Sequence, residues 1–155
     1  MLVVIGGFTS INTGRNEVSA FNFNTETWSD LPSTSVTGRL DGACGVLKDS
    51  ANNNEIVVAG GLVLPSYEPT DSVEIYSFAS NSWRSGPTLP NVLGGPGYLT
   101  WRNSLLVMGG TGGSNPYRNE ILQFKDGQWT EIGTLPDAIR DFGAVLIPPD
   151  LSGCS

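Results

Sequence analysis

The sequence predicts an all-β chain made from one antiparallel four-stranded unit repeated along its length. Three observations carry this. First, an apolar run that stops at two glycines occurs three times: Leu2-Val3-Val4-Ile5-Gly6-Gly7, Ile56-Val57-Val58-Ala59-Gly60-Gly61 and Leu105-Leu106-Val107-Met108-Gly109-Gly110. Runs this short, rich in aliphatic residues and bounded by glycine, read as strands buried on both faces. Second, the doublets recur after 54 residues (Gly6 to Gly60) and again after 49 (Gly60 to Gly109). Third, 20 Gly and 10 Pro with only 15% charged residues describe a chain of short strands and many turns.

The remaining strands fall into order around the doublets. In the first unit, Glu17-Val18-Ser19-Ala20-Phe21-Asn22-Phe23 alternates faces as a strand does, and Asn24-Thr25-Glu26-Thr27 turns the chain into a strand carrying Trp28. Pro32 ends that strand. The second unit adds a leading strand, Gly42-Ala43-Cys44-Gly45-Val46-Leu47, before the doublet strand. Asp71-Ser72-Val73-Glu74-Ile75-Tyr76 and a strand with Trp83 follow. The third unit repeats the order with Gly97-Tyr98-Leu99-Thr100-Trp101, the doublet strand, Glu120-Ile121-Leu122-Gln123-Phe124 and Trp129. Arg140-Asp141-Phe142-Gly143-Ala144-Val145-Leu146-Ile147 then opens another unit, and Pro148-Pro149 stops it. The expected layout is an incomplete unit over 1–32, complete units over 40–90 and 97–136, a lone first strand over 140–147, and a tail over 148–155.

Finer matches support the alignment of the units. Arg15-Asn16-Glu17-Val18 and Arg118-Asn119-Glu120-Ile121 are nearly one phrase, and Val18, Val73 and Ile121 each precede an aromatic by three residues. Trp28, Trp83 and Trp129 are each followed within six residues by Leu-Pro. A glycine doublet after the second strand, an aromatic in the third and a Trp opening the fourth resemble the kelch repeat over nearly the whole chain. Ser72-Val73-Glu74-Ile75-Tyr76 with Trp83 is similar to the repeats of BTB–Kelch proteins, although no BTB portion is present. The resemblance implies kelch-type β-propeller blades, about three of them, with first strands lining a central channel and each Trp packed between blades.

Propellers close with about four to eight blades. Three blades form an arc with two apolar faces and a strand edge uncovered. The chain is therefore expected either to be part of a longer ring or to be half of a six-bladed ring. In the second case Gly143–Ile147 of one copy would complete the opening blade of its partner. Either missing blades or a second copy is needed for closure.

Composition narrows the functional classes. The net charge of −7 repels a phosphate backbone, so no nucleic-acid partner is expected. No apolar segment is long enough for a membrane helix, and Met1 to Ile5 lacks the basic start of a signal peptide. With no Asn-x-Ser/Thr site, an intracellular location is slightly preferred. Cys44 reads as a small buried hydrophobe and Cys154 as part of the tail. Histidine is absent, which leaves no metal ligand of the commonest type and argues against the copper-oxidase activity of some kelch proteins. Gly109-Gly110-Thr111-Gly112-Gly113 lacks the Lys-Ser/Thr of a phosphate loop. No cofactor is expected.

Because direction reverses at each strand, loops 8–16, 62–70 and 111–118 share a face with the connections 33–40, 91–96 and 137–141. Loops on a rigid scaffold are where binding resides. Arg39 and Arg140 each stand four residues before an alanine, Ala43 and Ala144, and are expected at the channel rim near Asp41 and Asp141. Arg15, Tyr67, Tyr117 and Arg118 add the residue types of interface anchors to the same face. The resemblance implies a non-catalytic module that binds a protein partner through these residues, in the BTB–Kelch case as the substrate-recognition part of a ubiquitin ligase. The alternatives are a sugar-processing enzyme, for which Asp41, Asp141 and Arg140 would be the acid–base groups, or a structural scaffold.

Overall fold

In the computed structural model, residues 1–10, 13–35, 38–113 and 116–147 are described; the expected tail 148–155, with Cys154, lies outside them. Sixteen strands and no helix occur among the described residues. The first blade is a three-stranded sheet of β1 (Leu2–Ile5), β4 (Val18–Asn22) and β5 (Thr27–Leu31), with the small hairpin β2 (Phe8–Ser10) and β3 (Thr13–Gly14) in its loop. A short connecting strand, β6 (Arg39–Leu40), leads to the second blade. This blade is β7 (Ala43–Lys48), β8 (Asn54–Ala59), β11 (Val73–Ser77) and β12 (Ser82–Ser85), with β9 (Leu62–Val63) and β10 (Glu68–Pro69) in its loop. The third blade is β13 (Gly97–Trp101), β14 (Ser104–Met108), β15 (Glu120–Lys125) and β16 (Gln128–Thr134). All pairings within the blades are antiparallel between neighbours in sequence, as in a meander.

The glycine doublets fix how each blade is joined to the next. Both glycines of every doublet have left-handed backbone angles, from +61° to +103°. The first glycine's amide donates to a carbonyl at the entry to the third strand: Gly6 to Glu17, Gly60 to Ser72 and Gly109 to Glu120. The second donates to the connection leading to the next blade: Gly7 to Arg39, Gly61 to Leu93 and Gly110 to Ile139. A Cβ on Gly6 or Gly60 would stand only 2.8 or 2.6 Å from the carbonyl oxygen of Arg39 or Leu93. The doublet is thus a place where two backbones must meet and where only glycine leaves room.

These bonds also set the register between repeats. Arg39, Leu93 and Ile139 are equivalent, and so are Asp41, Gly95 and Asp141. Gly95 donates to the Asp41 carbonyl and Asp141 donates to the Gly95 carbonyl, each at 2.9 Å, and all three residues are left-handed. The expected equivalence of Arg39 with Arg140 is off by one residue. Counting back to alanine hides this slip, and a slip of one turns a side chain to the opposite side.

Arg39 is accordingly buried, 5% exposed, and not open at the rim. Its guanidinium donates to Glu74 Oε2 at 2.8 Å, to the Ser72 hydroxyl at 2.7 Å, and to the carbonyls of Ser72 and Gly60. Glu74 in turn accepts from the Ser35 amide and hydroxyl at 2.7 and 2.6 Å. The connection between the first two blades is therefore tied to the second blade by a buried ion pair. At the next junction the equivalent positions are Leu93 and Leu122, and both belong to one apolar cluster. Burial lowers the Arg39 pKa and Glu74 partly restores it. Burial alone would raise the Glu74 carboxyl, but Ser35 and Arg39 outweigh it and hold the group below the usual carboxylate range.

Two apolar clusters lie between the blades. Ile56, Val58 and Tyr76 of the second blade pack against Val3, Ile5 and Leu31 of the first. Val57, Ile75 and their neighbours meet Leu105, Val107 and Phe124 of the third. Trp83 stacks at 5.3 Å on Tyr76 and donates its indole N–H across the junction to Pro32 O at 2.6 Å. Trp129 does the same with Phe124 and Pro87 O, at 5.0 and 3.0 Å. These two tryptophans sit between blades as expected. Trp28 does not: it is 56% exposed, because no described blade lies beyond the first. For the same reason β1 alternates exposed and half-buried residues, unlike the doubly covered doublet strands of the other blades.

Gly143–Ile147, expected as the first strand of a next or closing blade, lies in no ladder among the described residues, and Val145 is 83% exposed. One further expectation is corrected. Cys44 is only half-buried, with its Sγ 3.8 Å from the Tyr98 hydroxyl on the neighbouring first strand.

Two outcomes follow for stability. Trp83→Ala removes the ring and its cross-junction bond and should cost about 3 kcal/mol in chemical denaturation; a wild-type midpoint would contradict the packing role. Arg39→Leu strands Glu74 without its cation and should cost about 3–5 kcal/mol. The double variant Arg39→Leu/Glu74→Leu copies the next junction and should recover most of that loss. The Glu74 pKa is lower folded than unfolded, so the carboxylate's contribution is complete above about pH 4.5 and fades as pH falls through the folded value. Glu74→Gln should therefore flatten the acid side of the stability–pH curve, and an unchanged slope would contradict this assignment.

Candidate functional site: the loop face and channel rim

The blade loops and the connections are knit together on one face. β9 pairs with both β6 and β10, and bridges join Thr70 to Leu93 and Gly94 to Thr111. Arg15 and Arg118 occupy one structural position: each accepts an amide bond from the next connection, and each donates its own amide to the second glycine of the doublet, Gly7 or Gly110. Extended backbone bonding makes this face a firm platform rather than a set of free loops.

The arginines on this face are paired within their own loops. Arg118 grips Glu120 with two bonds, at 2.6 and 3.3 Å, and keeps little exposure. Arg15 meets Glu17 at 2.9 Å with both side chains about half exposed. Glu17 and Glu120 are each also bonded by the amide of the preceding residue, at 3.1 and 3.2 Å. Burial alone would raise the Glu120 carboxyl, but backbone bonding and Arg118 outweigh it and lower the group; backbone bonding and Arg15 lower that of Glu17. Arg140 reaches Asp141 at 3.2 Å and lies 5.8 Å over the Tyr117 ring, with half its side chain in water. Tyr67 stands apart at a turn with φ +58°, its ring substantially exposed.

Asp41 and Asp141 flank Gly95 at the rim, and both line a cleft of about 450 Å³ with Tyr98 and Phe142. A second cleft of about 460 Å³ continues along the first strands past Cys44 and Arg39 to Val3 and Phe8. The Tyr98 phenol is raised by Cys44 and by burial, so it stays a neutral hydroxyl at physiological pH. Of the eight residues expected at a site, Tyr117, Arg140 and Asp141 form one group. Asp41 joins Asp141 across Gly95, Arg15, Arg118 and Tyr67 stand elsewhere on the face, and Arg39 is withdrawn into the junction. Sequence reasoning missed Tyr98 and Phe8 as wall residues. The signal for Tyr98 was its place in a first strand beside Gly97. Among the described residues no group of three or more His, Cys, Asp or Glu is arranged to hold a metal ion.

Comparison with known proteins agrees with this architecture. The Kelch motif model matches residues 1–35 and 50–90. The chain is 28% identical over 149 residues to the Kelch repeat-containing protein At3g27220 of Arabidopsis thaliana, an alignment covering 88% of this chain and 33% of the relative. It is 28% identical over 82 residues to the F-box/kelch-repeat protein At1g80440 of the same plant, covering 53% of this chain and 23% of the relative. The chain thus spans a third or less of either relative. The solved structure of YjhT superposes with a TM-score of 0.67 at 18% identity, over 84% of this chain and 42% of that one. With the doublets, the cross-junction tryptophans and the meander blades all in place, the chain is built from kelch-type repeats, and the Kelch motif is matched over residues 1–35 and 50–90.

Proposed function

We propose that this chain is a non-catalytic binding module that recognises a protein segment through the loop face. The observation that carries it is the exposed aromatic and arginine character of that firm platform. Tyr117 with Arg140 above it, Tyr67 and Phe8 are all substantially exposed there. Aromatics and arginine supply most of the energy at protein interfaces. Arg140 and Arg15 keep half their side chains in water and can turn to acidic groups of a partner. A relative named for an F-box joined to kelch repeats supports a role in presenting substrates to a ubiquitin ligase. The full binding face belongs to a closed ring, with the arc extended by further blades or a second copy. Asp41, Asp141 and Tyr98 around one cleft are the groups on which a sugar-processing alternative would have to draw.

Selection from a random peptide library against the purified chain tests the reading. Peptides recovered on the wild type should bind at least tenfold more weakly to Tyr117→Ala and to Arg140→Ala, equivalent to about 1.4 kcal/mol each. Lys125→Ala, at the end of β15 on the opposite end of the third blade, should bind normally. Binding that ignores the first two substitutions, or that follows Lys125, would reject the loop face. Turnover of free sialic acids by the wild type would favour the alternative.

A further inference from the structure

We infer that the cleft at the foot of the second junction binds a small aromatic ammonium ion, with its ring against the apolar base and its charge on Asp126. The site lies at the opposite end of the blades from the loop face, and the inference does not rest on what that face binds.

The repeat shows what fills this place elsewhere. Ladder register makes Phe21, Tyr76 and Phe124 equivalent, each paired with the tryptophan of its own blade. In the first two blades a second aromatic follows two residues on and meets the first edge to face. Phe23 lies 5.4 Å from Phe21, and Phe78 lies 5.0 Å from Tyr76. Each opens a four-residue turn, 23–26 or 78–81, between the third and fourth strands. Phe78 packs on the Ile56, Val58 and Tyr76 cluster and so closes the foot of the first junction. The third blade turns in two residues instead, Asp126-Gly127, at φ +49° and +76°. Asp126 therefore stands where Phe78 stands, and no second ring follows Phe124.

At that point the second junction opens into a cleft of about 430 Å³. The buried side chains of Leu47, Val57 and Ile75 from the second blade and Phe124 from the third form its base. Both blades that border it are complete four-stranded sheets. Clefts of about 300–1,000 Å³, apolar at the base with a few polar groups, are the usual form of a small-molecule site. A ligand ring can meet Phe124 edge to face, as Phe78 meets Tyr76.

Charge at the mouth selects the ligand. Lys48, Asp49, Glu55, Arg84 and Asp126 line it. Arg84 gives one nitrogen to both oxygens of Glu55, at 2.9 Å each. Asp49 is occupied by its own turn, accepting from the amides of Ala51 and Asn53 and from the Asn53 side chain. Lys48 donates to the Asn52 carbonyl at 3.3 Å. Asp126 is in no ion pair among the described residues. Three carboxylates thus face two cations, in a chain of net charge −7, and the carboxylate left over is the one that replaces the ring. A cation is favoured there over an anion.

The test is a titration of the intact chain with phenethylammonium, followed by amide shifts in nitrogen–proton correlation spectra. Saturable shifts should gather at Lys48, Asn103, Asp126 and Gly127, with affinity in the millimolar range. Phenylpropionate, which carries an anion on the same ring and arm, should bind at least about fivefold more weakly. Butylammonium, which keeps the charge without the ring, should be weakened as much. Asp126→Asn keeps the turn, because Asn accepts left-handed angles, and should lose the preference for cation over anion. Replacing Asp126-Gly127 by the sequence of residues 78–81 should fill the cleft, abolish the shifts and raise the thermal midpoint. Absence of binding, shifts centred elsewhere, equal binding of phenylpropionate, an unaltered preference in Asp126→Asn, or full binding by the turn-grafted chain would overturn the inference. Tyr117→Ala and Arg140→Ala should leave this titration unchanged, which separates it from the peptide test of the loop face.

Discussion

The structure depends on one constraint, the meeting of two backbones at each glycine doublet. A doublet strand leaves its sheet there, and its two amides divide their bonds between the blade's own third strand and the connection to the next blade. One short stretch therefore fixes both the fold of a blade and the position of its successor. The carbonyl oxygens of Arg39 and Leu93 come so close that any side chain on the first glycine would displace them. Periodicity in this chain is thus a steric requirement, renewed at every blade, as much as a pattern of apolar residues.

Around that fixed frame, the junctions are free to differ in chemistry. The first is tied by Arg39 and Glu74 with Ser35 and Ser72, the second by Leu93 and Leu122 in an apolar cluster. A buried ion pair contributes little net stability over apolar residues of similar size, so this substitution between repeats is tolerated. It does add direction, because a guanidinium that reaches two carbonyls, a hydroxyl and a carboxylate has one orientation. At the opposite end, Asn103 makes two bonds to the Lys48 backbone, at 2.6 and 3.0 Å, and clips the second blade to the third. Between these ends lie Trp83 and Trp129, which fill the two junctions and bond across them.

Most of the fold was legible in the sequence because the signals that specify it are local. Glycine doublets, alternating apolar residues and turn residues each report on a few neighbouring positions, and repetition multiplied their weight. The errors have one origin, which is that burial depends on what lies beyond the repeat. Trp28 carries the same local signal as Trp83 but faces no described blade. Arg39 looked like a rim group because alanine spacing aligned it with Arg140. The backbone bonds place it one residue earlier, with Leu93 and Ile139, where the side chain turns inward. Only the partner Glu74, 35 residues away, explains why an arginine is acceptable there. The grouping of Tyr117, Arg140 and Asp141 likewise arises from the return of the chain to the same face, which no single segment announces.

The account's central claim is that the doublet matters through backbone contact and not merely through its left-handed angles. Gly127, at φ +76°, is left-handed like Gly60, but a Cβ there would meet nothing within 4 Å. Comparing the denaturation midpoints of Gly60→Ala and Gly127→Ala separates the two effects. Gly127→Ala should lose about 1–2 kcal/mol, the ordinary left-handed penalty. Gly60→Ala should lose that and about 1–3 kcal/mol more, because Leu93 O must move and the second junction with it. Equal losses would contradict the claim and reduce the doublets to turns.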